Sequence, residues 1–565
     1  MDLYDKSENT AVDKELNKQQ NNMQYPLISE YVKAIQDAGD NLEQLAYLTP
    51  VLDDHGEPYR SSGAFAVVFK MLDKSTGKYY ALKCFTEEQE GRAEAYRQIA
   101  DELEFVNSSY ITSVKYLDKE IFVDSSCEED EFPVLLMDWI DGETMEKYIT
   151  ENCQNGYAMT ALYQAFFRLV SWLRSQPFAH GDIKPDNIMV RPDGSLTLVD
   201  YDGMFVPAMK GQKSPTIGTK DFSHPLRNVD DFDETIDDFA LASMLLSLYA
   251  MSKDVSLYDR YGSCGRLLFT NSDYLSPKDS LLMDSLLDSF KTAFNHSAFL
   301  LFVRSCVSTN YNEVLENFYC VLKLWWGMET PRYRELCTDD FIIDEFGVKY
   351  TTNGKILLNA PDDLVSYKIK EGTIFISSEA FSCNLNLKEI IFPESLRIIG
   401  KSSFAVCSEL EHLVIPGSVQ IIGKEAFVGC SKLRDVSFSE GLLVVSDAAF
   451  LDCDNLRQIY VPKSVIYIGN EAFSGCLELE YIYFSNGLIY VGNEAFRVCW
   501  NLSKISLPNS LIEIGKEAFA LCELGDISIS DKVVFIGQGA FNGNFFDNEK
   551  LQNKLEYLFG EDIFL

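Results

Sequence analysis

A phenylalanine returns every 23 residues through the C-terminal part of this chain. Phe381, Phe404, Phe427, Phe450, Phe473, Phe496 and Phe519 keep that interval without a slip, and Phe541 follows after 22. Alanine precedes seven of the eight, at positions 380, 426, 449, 472, 495, 518 and 540. Cys407, Cys430, Cys453, Cys476, Cys499 and Cys522 each fall three residues after the phenylalanine, and Cys383 falls two after. Glycine closes six of the units, at 400, 423, 469, 492, 515 and 537. A unit of this size cannot bury an apolar face alone, but a stack of such units can. Eight copies therefore predict a solenoid, with each cysteine a small buried group, one per coil. One cysteine per coil does not bring several ligands to one level, so a metal ladder is not expected.

Apolar pairs such as Leu413/Ile415, Val436/Phe438, Ile459/Val461 and Ile482/Phe484 give each unit a short strand. Alternation then sends Glu389, His412, Asp435, Gln458, Tyr460, Tyr481, Tyr483 and Lys504 outward. Neighbouring coils would gather the three tyrosines into one patch. Residues 341–375, with Tyr350 to Leu358, read as a capping hairpin, and residues 542–565 as the opposite cap. The unit resembles BspA-like leucine-rich repeats.

At 565 residues the chain needs two or three cores. Its formal net charge of -37 repels nucleic acid and anionic lipid, so neither is an expected partner. No apolar run is long enough to span a membrane. Met1 to Lys6 is not a basic leader followed by an apolar stretch, so no secretory signal is read there. The 14 cysteines follow the repeat and not a pairing scheme, which fits reduced thiols in a cytoplasm.

Residues 1–25 are polar and read as a disordered tail. A helical pattern follows from Ile28 to Ala38. Ser61-Ser62-Gly63-Ala64-Phe65-Ala66 then leads into a β-branched strand containing Val68. Lys74 to Lys78 reads as a hairpin turn, and Lys83 lies on the next strand, 15 residues after Val68. Small residues let backbone N–H groups approach phosphates, and a lysine adds charge there. Residues 87–106 carry acidic groups on a helix whose apolar positions are Ala93, Tyr96, Ile99 and Leu103. Phe132 to Gly142 is a buried strand ending in a turn. Farther on stands His180-Gly181-Asp182-Ile183-Lys184-Pro185-Asp186-Asn187, then a short apolar run ending in Asp200. Carboxylate, ammonium and carboxamide groups at this spacing suit metal and phosphate held beside a hydroxyl nucleophile.

Together these motifs resemble protein kinases over roughly residues 28–326. The resemblance implies an α+β bilobal kinase-like fold, ATP and Mg²⁺ as cofactors, and phosphoryl transfer to protein Ser/Thr hydroxyls. It implies that Gly63, Val68 and Lys83 line the phosphate side of the nucleotide site. Met137 would stand at the back of the pocket, with Asp138, Trp139 and Ile140 along its adenine edge. Asp182 and Lys184 would be catalytic, and Asn187 and Asp200 would hold Mg²⁺. A helix glutamate should pair with Lys83: Glu94 and Glu102 are both candidates, Glu94 being preferred. Gly218 to Pro225 resembles the end of an activation segment, and Asp237 to Ala242 opens a helix like the one anchoring the large lobe. Three departures stand out. Only the middle glycine of the phosphate loop is kept, Asp202 occupies a usual glycine slot after Asp200, and Gly181 replaces an arginine that reads activation-segment phosphate.

The expected organisation is a tail (1–25), a kinase-like domain (26–326), a linker (327–340) and a capped β-rich leucine-rich repeat solenoid (341–565). The solenoid would recruit a protein substrate or regulator. The alternatives are a nucleotide-binding pseudokinase scaffold and a small-molecule kinase. His-Gly-Asp resembles aminoglycoside-type phosphotransferases, while Lys184 and Gly218-Thr219 argue against that last reading.

Overall fold

The computed structural model describes residues 24–63, 65–89, 91–290, 293–329, 341–525, 527–530, 532–544, 553 and 556. The polar tail up to residue 23, all of the linker beyond residue 329 and nearly all of the C-terminal cap therefore lie outside the described residues. Contacts divide the chain into two compact units: residues 1–223 with 227–267, and residues 224–226 with 268–565.

The first unit opens with helix α1 (Ile28–Gln36), whose buried face is Tyr31, Val32, Ala34 and Ile35. That face packs on an antiparallel sheet of six strands: β1 (Leu48–Pro50), β2 (Arg60–Ser62), β3 (Ala66–Asp73), β4 (Lys78–Phe85), β5 (Val114–Phe122) and β6 (Glu131–Asp138). The spatial order is β1-β3-β4-β6-β5, with β2 paired to β3. The β3–β4 turn is fixed by Asp73, whose carboxylate accepts from the Ser75 and Thr76 hydroxyls at 2.6 and 2.9 Å. Helix α2 (Arg92–Leu103) turns Tyr96, Ile99 and Leu103 inward, as its sequence pattern predicts.

The remainder of this unit is mainly helical. A short strand β7 (Glu143–Thr144) leads into α3 (Met145–Asn152), which the Thr144 hydroxyl caps. Then comes α4 (Gly156–Leu173), capped by Asn155. Strands β8 (Ile188–Val190) and β9 (Leu196–Leu198) form a hairpin immediately after the 180–187 loop. Helix α5 (Asp238–Lys253) is buried on every side from Asp238 to Met251, as a helix with no polar face must be. Among the described residues, no helix is long and apolar enough to cross a membrane.

Among the described residues, the second unit holds four named α-helices and the repeats. The helices are α6 (Asn271–Leu275), α7 (Leu281–Ser289), α8 (Ala293–Cys306) and α9 (Tyr311–Glu329). The compact division thus falls after Leu267 and groups these helices with the repeats. The solenoid begins with an antiparallel meander of Phe341–Ile343, Lys349–Thr351 and Ile356–Asn359. Two-residue strands from successive coils then stack in parallel, from Phe375–Ile376 to Phe535–Ile536. A second parallel ladder runs through His412–Ile415, Asp435–Phe438, Gln458–Val461, Tyr481–Phe484 and Lys504–Ser506.

The phenylalanines form a continuous stack. Ring centroids of successive coils lie 4.8 to 5.8 Å apart, with planes within 10° of parallel. Each thiol from Cys407 to Cys522 donates to the phenylalanine carbonyl one coil back, as Cys430 does to Phe404 at 3.3 Å, whereas Cys383, two residues and not three after its phenylalanine, is exposed and lies outside this ladder. That bond explains a small weak donor at a position where larger polar groups would not fit. Burial raises these thiols, Cys407 and Cys522 to about 12, and all thirteen described cysteines are free. Gly492 has no room for a side chain, because a Cβ there would lie 2.4 Å from the Gly469 carbonyl carbon.

Helix α8 meets the repeats through His296. Its Nδ1 is 2.8 Å from the Phe290 carbonyl and its Nε2 is 3.0 Å from Glu513 Oε2. The ring also stands edge-on to Tyr490, at 4.6 Å between centroids. Burial lowers the His296 pKa, but Glu513 outweighs it and the net shift is upward from 6.5. A folded-state value above the unfolded one stabilises below pH 6.5, and the gain is lost as pH rises through the folded value. Melting curves of the whole chain, from about pH 5.5 to about pH 8.5, should show that decline. His296→Gln should flatten it; an unaltered pH profile in the variant would contradict the assignment.

Candidate functional site

The 180–187 loop is tied down by one carboxylate. Asp237, immediately before α5, accepts the backbone N–H of Gly181 on Oδ1 at 2.8 Å and that of His180 on Oδ2. Burial pushes the Asp237 pKa up, and the two N–H donors with His180 work against that rise. The His180 ring is anchored separately, with Nε2 2.9 Å from the Val199 carbonyl. Gly181 has φ +85°, and a Cβ there would lie 1.8 Å from the Gly203 carbonyl oxygen. No side chain fits, so the missing arginine is a consequence of how closely the two loops approach. Arg227 closes the same region, its Nη2 donating to the Gly181 carbonyl at 3.2 Å.

With the loop held, Asp182 becomes the centre of a polar knot. Its Oδ2 pairs with Lys184 Nζ at 2.8 Å and accepts from Asn187 Nδ2 at 3.2 Å. Its Oδ1 accepts from both the backbone N–H and the hydroxyl of Thr219, each at 3.2 Å. Gly218, at φ +74°, makes the turn that delivers Thr219. A second cluster forms around Lys83 on β4. Its ammonium lies 2.7 Å from Asp200 Oδ1 and 2.8 Å from Asp202 Oδ2. Asp200 is held at φ +67°, a conformation that costs a non-glycine residue about 1–2 kcal/mol. Strain of this kind concentrates at functional sites.

Comparison with known proteins agrees with this geometry. Residues 61–260 match the protein kinase domain model, and residues 359–480 and 466–564 match the BspA type leucine rich repeat region in 6 copies. The chain joins a protein kinase domain to BspA-type leucine-rich repeats. Similar curated proteins include the mouse (Mus musculus) serine/threonine-protein kinase PAK 1, 27% identical over 139 residues, which cover 25% of this chain and 24% of that protein. Mouse serine/threonine-protein kinase 32C is 26% identical over 178 residues, covering 30% and 35%. Aurora kinase of Yarrowia lipolytica is 25% identical over 189 residues, covering 32% and 48%. The chain therefore spans less than half the length of these relatives. Among solved structures, a leucine-rich repeat protein of T. pallidum is 22% identical with a TM-score of 0.30, covering 39% of this chain and 92% of its own.

Within the kinase domain, part of the expected set comes together. Asp182, Lys184 and Asn187 meet directly, and Lys83 meets Asp200. Val68 is the cross-strand partner of Lys83. Gly63 donates to the Ala66 carbonyl at 2.9 Å, closing the start of β3. Met137 lies opposite Ala81. Asp138 and Trp139 face basic groups on β3 and β4: Asp138 pairs with Lys78 at 2.7 Å, and the Trp139 ring lies 4.6 Å from the Lys70 ammonium. A cavity of about 550 Å³ runs along Asp138, Trp139, Ile140 and Asp141, with Arg191 on its wall. Val68, Lys83, Asp182 and Asp200 are absent from its lining, so it is distinct from the charged cluster.

Glu94 does not fill its expected role. It is exposed, 3.7 Å from Arg97 and accepting from Gln98 at 2.9 Å. The cause is helical geometry. Tyr96 is the residue of α2 that faces the cluster, and Glu94 lies about 200° around the helix from it. Glu102, six residues beyond Tyr96, is also turned well off that face. Tyr96 instead donates its hydroxyl to Asp202 Oδ1. Four residues thus take parts that the sequence reading did not assign: Tyr96, Asp202, Asp237 and Thr219. Asp202 carried the one usable signal, an acid where a glycine is usual.

The donor set suits Mg²⁺. Among the described residues, no three His, Cys, Asp or Glu side chains gather as a self-sufficient metal site. Mg²⁺ does not need one, since it takes one or two protein ligands and completes its shell from phosphate and water. Asp200 engages Lys83 through Oδ1. Asn187 engages Asp182 through its amide nitrogen, which turns the carboxamide oxygen away.

Gly181→Ala should be severely destabilising, because it adds a left-handed strain of about 1–2 kcal/mol to a forced backbone shift. Gly211→Ala is the control: that residue has φ +86° but open space around it, so strain alone applies. Denaturant unfolding should rank Gly181→Ala well below Gly211→Ala. Equal losses would mean that the contact with Gly203 carries nothing.

Proposed function

We propose that this chain is an ATP- and Mg²⁺-dependent protein kinase of the Ser/Thr type, whose solenoid recruits a protein substrate or regulator. The observation that carries the reading is the convergence of Lys184, Asn187 and Thr219 on the Asp182 carboxylate. Thr219 already brings a hydroxyl to this carboxylate, and Lys184 an ammonium. Asp182 orients the substrate hydroxyl and takes its proton. Lys184 balances charge on the transferring phosphoryl group, and Lys83 contacts the α/β-phosphates. Asn187 and Asp200 would hold Mg²⁺, which would supply charge neutralisation at the phosphates. Positioning does most of the work, because phosphoryl transfer asks little covalent chemistry of the protein.

We assign the kinase-like part to residues 26–326 and the solenoid to 341–565. On the solenoid, the second parallel ladder presents an exposed row of Val414, Tyr460 and Tyr483, at 64%, 61% and 56% exposure. Tyr460 and Tyr483 are register partners on adjacent coils, and Lys504 lies 5.6 Å over Tyr481. Amphipathic rings in a row are good anchors for a protein partner. Buried free thiols along the ladder support a reducing, cytoplasmic setting.

One observation favours the pseudokinase reading. Lys83 is clasped by two carboxylates, and the helix glutamate of an ordinary kinase is not beside it. Radiolabelled ATP separates the two. Phosphate transfer by the whole chain should fall about 10²–10⁴-fold in Asp182→Asn and comparably in Asp200→Ala. A wild-type chain that labels neither itself nor generic protein substrates, yet is thermally stabilised by nucleotide, would favour the scaffold.

A further inference from the structure

We propose that Asp202, held by Tyr96, is the carboxylate that positions Lys83 for nucleotide phosphates, in the place of a glutamate on helix α2. The inference rests on the kinase reading of the site.

Lys83 carries its charge at a side chain only 8% exposed. A buried ammonium must be paired, and breaking such a pair by removing one partner is costly. Two carboxylates are present and they are not equivalent. Asp200 meets Lys83 with one oxygen only. Asp202 has both oxygens engaged, Oδ2 by Lys83 and Oδ1 by the Tyr96 hydroxyl. Its orientation is therefore fixed from two sides.

Tyr96 is itself fixed. Its ring stacks on Tyr116 at 6.1 Å and 8° and packs against Phe85 at 6.2 Å. Lys83 Nζ lies 5.8 Å from that same Phe85 ring. Helix α2 therefore reaches the lysine through a hydroxyl, a carboxylate and an ammonium in series. An ordinary kinase helix reaches it with one glutamate. Here the acid sits in the loop after Asp200, and the long tyrosine side chain spans the remaining gap. This accounts for two departures together: an acid in a usual glycine slot, and a helix with no glutamate facing Lys83.

The test uses the full chain and the variants Asp202→Asn, Tyr96→Phe and the double substitution. Steady-state kinetics gives kcat and the KM for ATP, and calorimetry gives the Kd for Mg·ADP. Melting temperature checks folding, and Tyr96→Phe keeps the packed ring. Asp202→Asn should weaken Mg·ADP and raise the ATP KM about tenfold or more, with a smaller change in kcat. Tyr96→Phe should move the same constants in the same direction by a smaller factor. The double variant should be no worse than Asp202→Asn, because Tyr96 acts through Asp202.

Unchanged or tighter Mg·ADP binding in Asp202→Asn, or faster turnover, would mean that Asp202 obstructs Lys83, and it overturns the proposal. Multiplying effects in the double variant overturn it too, since the residues would then act separately. A wild-type chain that binds Mg·ADP but transfers no phosphate removes the kinase reading alone, and the Kd values then decide the role of Asp202. A wild-type chain that does not bind Mg·ADP removes both.

Discussion

The candidate site depends on one buried carboxylate. Asp237 takes two consecutive backbone N–H groups, from His180 and Gly181, and so fixes the path of the loop before its first chemical residue. Backbone donors buried without a partner would each cost about 1–3 kcal/mol, so the loop has little alternative to this path. Everything downstream inherits that geometry. The Gly181 carbonyl is placed for Arg227, Gly203 can press against Gly181, and Asp182 emerges where Lys184, Asn187 and Thr219 converge. Helix α5 begins at the next residue and is buried all round. The clamp is thus attached to a helix that is buried on every side.

The repeats reach rigidity by a different route. No single coil holds its own core, yet every coil repeats the same contacts with the next. Phenylalanine stacks on phenylalanine, thiol donates to carbonyl, and glycine admits the neighbouring backbone. This is why the period was so legible: a one-dimensional stack copies its packing constraint into the sequence at a fixed interval. The outward row of Glu389, His412, Asp435, Gln458, Tyr460 and Tyr483 also followed from alternation, because one face of that ladder is open. What the period could not show is what lies against the other ladder. Tyr467 and Tyr490 are nearly fully buried, and the ring beside them belongs to His296, far away in the sequence. A polar-looking tyrosine on a short strand gives no sign that a helix will cover it.

The catalytic loop was legible for a related reason. Asp182, Lys184 and Asn187 are close in sequence, so the spacing nearly determines the contact. Lys83 and Asp200 could be assigned because each is tied to a strand, Lys83 within β4 and Asp200 two residues past β9. The partner of Lys83 could not be read in this way. It is chosen by which side of α2 faces inward, and the helix offers glutamates on the wrong faces and a tyrosine on the right one. The acid itself comes from position 202, 119 residues from Lys83. In sequence, Asp202 is a local departure from pattern, while the lack of a glutamate beside Lys83 shows only in the structure. In three dimensions they are one arrangement.

That arrangement sets the formal charge of the site. Lys83 and Lys184 contribute two positive charges, while Asp182, Asp200 and Asp202 contribute three negative ones, leaving one negative charge before any nucleotide arrives. Tyr96 adds none, since burial first and Asp202 next keep its hydroxyl protonated. A polyphosphate entering such a site meets net repulsion on a protein already at -37 overall. Under the proposed function, the second carboxylate on Lys83 then has a cost: it weakens the pull of the ammonium on the phosphates while it fixes the place of that ammonium. On that proposal divalent cation and nucleotide would bind as linked events, and the two lysines would orient a complex whose charge the metal neutralises.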